Sequence, residues 1–116
     1  MERVTLYHNP GCSHSRGAMD LLKARAVEFD TIEYLKHPPT RTDLEGIISI
    51  LEGPVADLVR KDKRFAELGL NAADYTARAP IIALLLEHPD LMQRPIVIRA
   101  DRALIARPAE KLVVLF

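Results

Sequence analysis

Hydrophobic and polar positions change period several times along the chain, and each change marks an element. Residues 3–7 (Arg-Val-Thr-Leu-Tyr) alternate with β-forming side chains and predict a first strand. His8-Asn9-Pro10-Gly11 is a turn by composition. From Ser13 the period lengthens: Ala18, Leu21, Leu22 and Ala26 share one helical stripe, with Lys23 and Arg25 outside it. Phe29 to Leu35 predicts a second strand, bounded by His37-Pro38-Pro39. Strand, helix and strand in this order make a βαβ unit with two parallel strands and a right-handed crossover.

The middle of the chain reads as helical. Thr42 and Glu45 have capping-box spacing, and Leu44, Ile47, Ile48 and Leu51 form one face of a helix stopped by Gly53-Pro54. A short turn carrying Val55, Leu58 and Val59 follows, then a helix from Lys61 to Leu68 closed by Gly69. Pro80 suits the first turn of an almost wholly apolar helix through Ile81, Ile82, Leu84, Leu85 and Leu86, which ends at His88-Pro89. Pro95 to Ile98 and Ala103 to Ala106 predict a hairpin around Arg99-Ala100-Asp101-Arg102, and Pro108 opens a terminal helix from Ala109 to Leu115. The expected fold is α/β: a mixed four-stranded sheet, a parallel βαβ unit plus a C-terminal β-hairpin, with a helical insertion at about 40–90. With no repeat or linker, residues 1–116 read as a single domain.

Composition narrows the function. At 48% hydrophobic and 28% charged residues the chain is no disordered tail, and it has no apolar run near the length of a membrane span. Sixteen Lys+Arg balance sixteen Asp+Glu, so no global field recruits nucleic acid or anionic lipid. Anions, if they bind, are held by a local group of arginines. The start, Met-Glu-Arg-Val-Thr-Leu-Tyr, has neither a signal core nor a transit composition, and a cytoplasmic location is expected. A single cysteine, Cys12, makes no intrachain disulfide and no multi-thiolate metal site, and the four scattered histidines lack ligand spacing. No metal is expected.

Cys12 falls where the first strand hands over to the first helix. Helix N-terminal N–H groups have no partner within the helix and carry partial positive charge, so a sulfur placed there is stabilised as thiolate. The same groups cradle an oxyanion. Ser13 and Ser15 offer hydroxyl donors, and His8 offers an electrostatic push. Lone cysteines are often buried apolar residues; here Asn-Pro-Gly before and Ser-His-Ser after describe a polar turn, which favours a reactive thiol.

His8-Asn9-Pro10-Gly11-Cys12-Ser13-His14-Ser15-Arg16 resembles the HNPxCxxSR signature of the arsenate reductases that use glutathione and glutaredoxin. The resemblance continues through Pro38-Pro39, Leu58-Val59-Arg60-Lys61, Glu67-Leu68-Gly69-Leu70, His88-Pro89, Arg94-Pro95-Ile96-Val97 and Arg107-Pro108, and so covers essentially the whole chain. It implies a thioredoxin-like fold, with Cys12 as catalytic nucleophile supported by His8 and Ser15. It implies anion binding by Arg60, Arg94 and Arg107, whose guanidinium forks suit a tetrahedral oxyanion. It implies a cis peptide at Pro95, facing the cysteine. Arsenate or a similar oxyanion is the implied substrate, glutathione the co-substrate and glutaredoxin the partner, with no bound cofactor. Many members carry Gly-Thr where this chain has Ser13-His14, and a longer C-terminal tail.

Two other activities suit the same pattern. One is a monothiol thiol-disulfide oxidoreductase acting on glutathionylated proteins. The other is an RNA-polymerase-binding regulator of the same fold, whose redox members use Cys-x-x-Cys; here Ser15 occupies the second cysteine position.

Overall fold

The computed structural model describes residues 3–116, so Met1 and Glu2 of the N-terminal reading lie outside the described residues. Strand β1 (Val4–His8), helix α1 (Ser13–Ala24) and strand β2 (Phe29–Glu33) form the expected βαβ unit. β1 and β2 pair in parallel from Val4 opposite Phe29 to His8 opposite Glu33. Strands β3 (Ile96–Arg99) and β4 (Arg102–Ile105) pair antiparallel as a hairpin, and β3 docks antiparallel on β1. The sheet order is β2-β1-β3-β4, which is the mixed sheet expected from the sequence.

Because side chains alternate across a strand, the sheet feeds two cores. Val4 and Leu6 of β1 join Val97, Leu104, Ala18, Leu22, Leu112 and Leu115 on the face covered by α1 and a terminal 3-10 helix at Ala109–Leu115. Tyr7 and Ile96 turn the other way, against α2 (Arg41–Ile50) and α4 (Arg78–Glu87) through Leu44, Ile47, Ile81 and Leu85. The helical segment lies between β2 and β3 in the chain and also contains α3 (Lys63–Glu67) and 3-10 turns at Val55–Leu58, Ala72–Asp74 and Pro89–Leu91. Among the described residues no helix is long and apolar enough to cross a membrane.

Several boundaries differ from the sequence reading, each for a local reason. The capping box is Thr40 with Asp43, not Thr42 with Glu45. Thr40 Oγ1 accepts from the Asp43 N–H at 3.1 Å, and Asp43 Oδ2 accepts from the Thr40 N–H at 2.9 Å. Pro38-Pro39 keep the chain extended up to Thr40, so the helix starts directly after it and Thr42 is already inside. β2 stops at Glu33 rather than Leu35 because the Lys36 and His37 N–H groups fold back onto the Glu33 carbonyl at 3.0 and 2.9 Å. Asp62 caps α3 through Phe65 N–H at 3.2 Å, which shortens the helix expected at 61–68. The hairpin turn is only Ala100-Asp101, with Ala100 at φ 54°, so Arg99 and Arg102 belong to the strands and pair across it. The terminal helix is of the tighter 3-10 form.

Candidate active site

The loop after β1 is shaped by its own polar groups. Asn9 Oδ1 accepts from the Gly11 N–H at 2.9 Å, and the Cys12 N–H donates to the Asn9 carbonyl at 3.0 Å. The Arg16 guanidinium closes the loop by donating to the Pro10 carbonyl at 2.8 Å. This turn delivers Cys12 to the N-cap of α1 with extended backbone (φ −103°, ψ 125°), so its sulfur faces the first free N–H groups of the helix. Cys12 is half-buried.

Burial is the largest influence on the Cys12 thiol and pushes its pKa up. The Ser15 N–H, the Arg94 guanidinium and the His14 N–H act against it and outweigh it, so the thiol ionises below the ordinary cysteine value. Arg107 adds a second guanidinium, its Nη1 3.9 Å from the sulfur. These two arginines come from the ends of β3 and β4, and each precedes a cis-proline: Arg94–Pro95 and Arg107–Pro108. The first cis bond meets the sequence expectation; the second was not read from the sequence, although the Arg-Pro dipeptide is the same.

The arginine loops are tied to each other. Arg107 Nη1 donates to the Arg94 carbonyl at 3.2 Å, and Arg94 Nη1 donates to the Asp90 carbonyl at 3.1 Å. Gln93 Oε1 takes the Arg94 N–H at 3.2 Å. Arg60 reaches the same cluster through its backbone: its N–H donates to the Leu91 carbonyl at 2.7 Å, Gln93 N–H donates to Leu58 C=O at 2.7 Å, and Val59 bridges to Met92. The Arg60 guanidinium itself lies 3.6 Å from the Asp62 carboxylate. Cys12, Arg94 and Arg107 are thus in contact, while Arg60 stands in the adjoining segment with its charge turned to Asp62.

His8 and Ser15 form a second layer, and here the sequence expectation needs correction. Ser15 is fully buried, and its Oγ accepts from the Asn9 N–H at 3.0 Å and lies 2.7 Å from His8 Nδ1. The Ser15 hydroxyl and the His8 ring nitrogen therefore share one hydrogen bond, its donor set by the imidazole tautomer. Burial is the largest influence on His8 and lowers its pKa; the Glu33 carboxylate opposes it, and Arg16 and Lys23 reinforce it. His8 therefore bonds to Ser15 rather than acting as a cation on the sulfur. Ser15 meets Cys12 through its N–H and not through its hydroxyl, and Ser13 is exposed. The backbone N–H of His14 and the glutamine beside Arg94 are participants that side-chain motifs do not reveal.

A nucleophilic thiolate with two guanidinium groups and unpaired helix N–H groups around it can attack a tetrahedral oxyanion held against it. Among the described residues no group of three or more His, Cys, Asp or Glu side chains is arranged to hold a metal.

The profile of the ArsC family matches residues 7–114. An arsenate reductase of Rhizobium meliloti is 37% identical over 92% of this chain and 76% of its own length. An arsenate reductase of Neisseria meningitidis is 33% identical over 97% of both chains. The solved structure of an arsenate reductase from Vibrio cholerae superposes with a TM-score of 0.87 at 31% identity, over 99% of this chain and 98% of its own. The α/β, thioredoxin-like architecture expected from the sequence is accordingly the observed one. Sequence and fold agree over nearly the full length, and the protein belongs to the ArsC family.

Proposed function

We propose that this protein reduces arsenate to arsenite at Cys12, with glutathione and glutaredoxin as external reductants. The observation that carries this reading is the Cys12 sulfur at the N-cap of α1, facing the Arg94 guanidinium and 3.9 Å from Arg107 Nη1. The names of the aligned relatives support arsenate as the oxyanion. Arg94, Arg107 and, by a turn of its side chain away from Asp62, Arg60 bind the anion. The His8–Ser15 pair holds the loop that presents the sulfur.

The chemistry follows from the site. The Cys12 thiolate attacks arsenic, a sulfur–arsenic bond forms, and an arsenate oxygen leaves as water after taking protons from solvent. A glutathione thiolate then attacks the Cys12 sulfur. The sulfur–arsenic pair stays on arsenic, which goes from As(V) to As(III) and departs as arsenite, leaving a Cys12–glutathione disulfide. Glutaredoxin removes the glutathione by thiol-disulfide exchange and restores Cys12. Cys12 is the one cysteine in the sequence, so the second thiol comes from another molecule.

The test is a coupled assay with glutathione, glutaredoxin, glutathione reductase and NADPH. Arsenate-dependent NADPH consumption that disappears when glutaredoxin is left out supports the reading. Brisk turnover of a glutathionylated peptide with none of arsenate replaces it by the monothiol oxidoreductase. Silence in both arms, with retention on immobilised RNA polymerase, points to the regulator of the same fold.

A further inference from the structure

The fold draws Arg60, Arg94 and Arg107 into neighbouring segments, but their charges are disposed differently. Arg94 Nη1 and Arg107 Nη1 donate to backbone carbonyls, of Asp90 at 3.1 Å and of Arg94 at 3.2 Å. A carbonyl orients a guanidinium and leaves its charge to act elsewhere. Arg60 faces a carboxylate instead, with its Nη2 3.6 Å from Asp62 Oδ2. Its backbone is fixed beside the segment that carries Arg94: the Arg60 N–H donates to the Leu91 carbonyl and the Gln93 N–H to the Leu58 carbonyl, both at 2.7 Å.

The two halves of this ion pair are held unequally. Asp62 is the N-cap of α3, and its Oδ1 accepts from the Phe65 N–H at 3.2 Å, which anchors the carboxylate. The approach of Arg60, at 3.6 Å, is longer than the roughly 2.8 Å of a charge-assisted hydrogen bond. The side chains are 20% and 34% exposed, so water screens the pair, and a contact of this kind is weak. A tetrahedral oxyanion presents paired oxygens that match the guanidinium fork. Exchange of the carboxylate for such an anion is therefore favourable, at a cost set by the contact that is given up.

We propose that Asp62 is a positioning residue that competes with the oxyanion for Arg60: it holds the guanidinium aside until an anion takes it over, and so sets how tightly the site binds. That Arg60 receives the anion rests on the function proposed above, whereas the competition itself is measurable without arsenate.

Asp62→Asn removes the charge and keeps an oxygen for the Phe65 N–H, since asparagine caps a helix as well as aspartate does. Asp62→Ser, which also caps, is the second variant. The first readout is the ratio of Cys12 alkylation rates with iodoacetate, an anion, and iodoacetamide, a neutral reagent of the same reactivity class; it reports available positive charge at the sulfur. The second is KM and kcat for arsenate. The expected result is an unchanged thermal midpoint, a ratio raised about two- to fivefold, and a KM lowered by about the same factor with kcat unaltered. In an Arg60→Ala background Asp62→Asn then changes neither quantity, because the group it restrains is gone. An unaltered ratio, a KM that fails to fall in an enzyme that turns over arsenate, or a gain that persists without Arg60 overturns the proposal and leaves Asp62 as a helix cap. A raised ratio that depends on Arg60, in a protein that does not reduce arsenate, upholds the competition and removes the proposed function.

Discussion

Ser15→Ala removes one oxygen from a fully buried position and disconnects two neighbours at once. The Asn9 N–H loses its acceptor at 3.0 Å, and His8 Nδ1 loses a partner at 2.7 Å inside the molecule. A made hydrogen bond contributes about 0.5–1.5 kcal/mol, and stranding a buried polar partner costs about 1–3 kcal/mol. His8 is only 5% exposed and bears the full penalty, whereas Asn9 is part-buried and recovers some solvation. The expected loss is therefore about 2–3 kcal/mol. At an unfolding entropy of about 2.1 cal/mol/K per residue, a chain of 116 residues loses about 4 °C per kcal/mol, or about 8–12 °C here. Differential scanning calorimetry measures it. The Ser15 N–H survives the substitution, so the Cys12 thiol keeps the group that lowers its pKa most, and its alkylation midpoint rises less than in Arg94→Ala. A melting temperature equal to the wild type's would refute the account of His8 and Ser15 as a buried pair that fixes the loop.

Arg107→Ala removes a guanidinium from the sulfur and a donor from the Arg94 carbonyl, so arsenate affinity is expected to fall about ten- to a hundredfold, with Arg107→Lys a partial rescue; titration calorimetry with arsenate on a Cys12→Ser background reads both. For His8 the folded pKa lies below the ordinary 6.5, so the unfolded chain takes up a proton that the folded chain refuses. The stability tied to this group is complete above pH of about 6.5 and is lost as pH falls through it. Urea midpoints at pH 7.5 and 5.5 should accordingly differ more for the wild type than for His8→Gln. Thr40→Ala removes the Oγ1 acceptor of the Asp43 N–H while the Thr40 N–H keeps its bond to Asp43 Oδ2, and should cost about 1 kcal/mol in chemical denaturation, with Cys12 alkylation unchanged.

Much of this fold is legible in the sequence because its signals are local. Alternation in residues 4–7, the stripe from Ala18 to Leu22 and the apolar run at 81–85 give the strands and helices that sit in the two cores. Cys12 is legible for the same reason, since a polar turn and a helix start flank it. What escapes is long-range. Nothing near Glu33 in the sequence announces that its carbonyl bends the chain and carries Tyr34 inward to the Met92 carbonyl, 58 positions away. Three arginines are singled out by resemblance, yet only the tertiary fold distinguishes Arg94 and Arg107, against the sulfur, from Arg60, turned to Asp62. The contacts of the hairpin arginines are long-range too: Arg99 donates to the Leu115 carbonyl and stacks 4.8 Å from the Phe116 ring centre, and the exposed Arg102 grips Glu52 through two nitrogens. The capping shift from Thr42 to Thr40 is a smaller miss of a different kind, because two overlapping polar spacings compete and the proline pair decides between them.

The central claim is that Cys12 is the nucleophile that converts arsenate to arsenite within the Arg94–Arg107 cradle. Arsenic speciation after mixing arsenate, glutathione and glutaredoxin with the wild type, Cys12→Ser and Arg94→Ala tests it directly. The account predicts rapid arsenite release by the wild type, a rate reduced about ten- to a hundredfold in Arg94→Ala, and only the uncatalysed background in Cys12→Ser, which still binds the anion. Arsenite formed by Cys12→Ser at the wild-type rate, or none formed by the wild type, contradicts it.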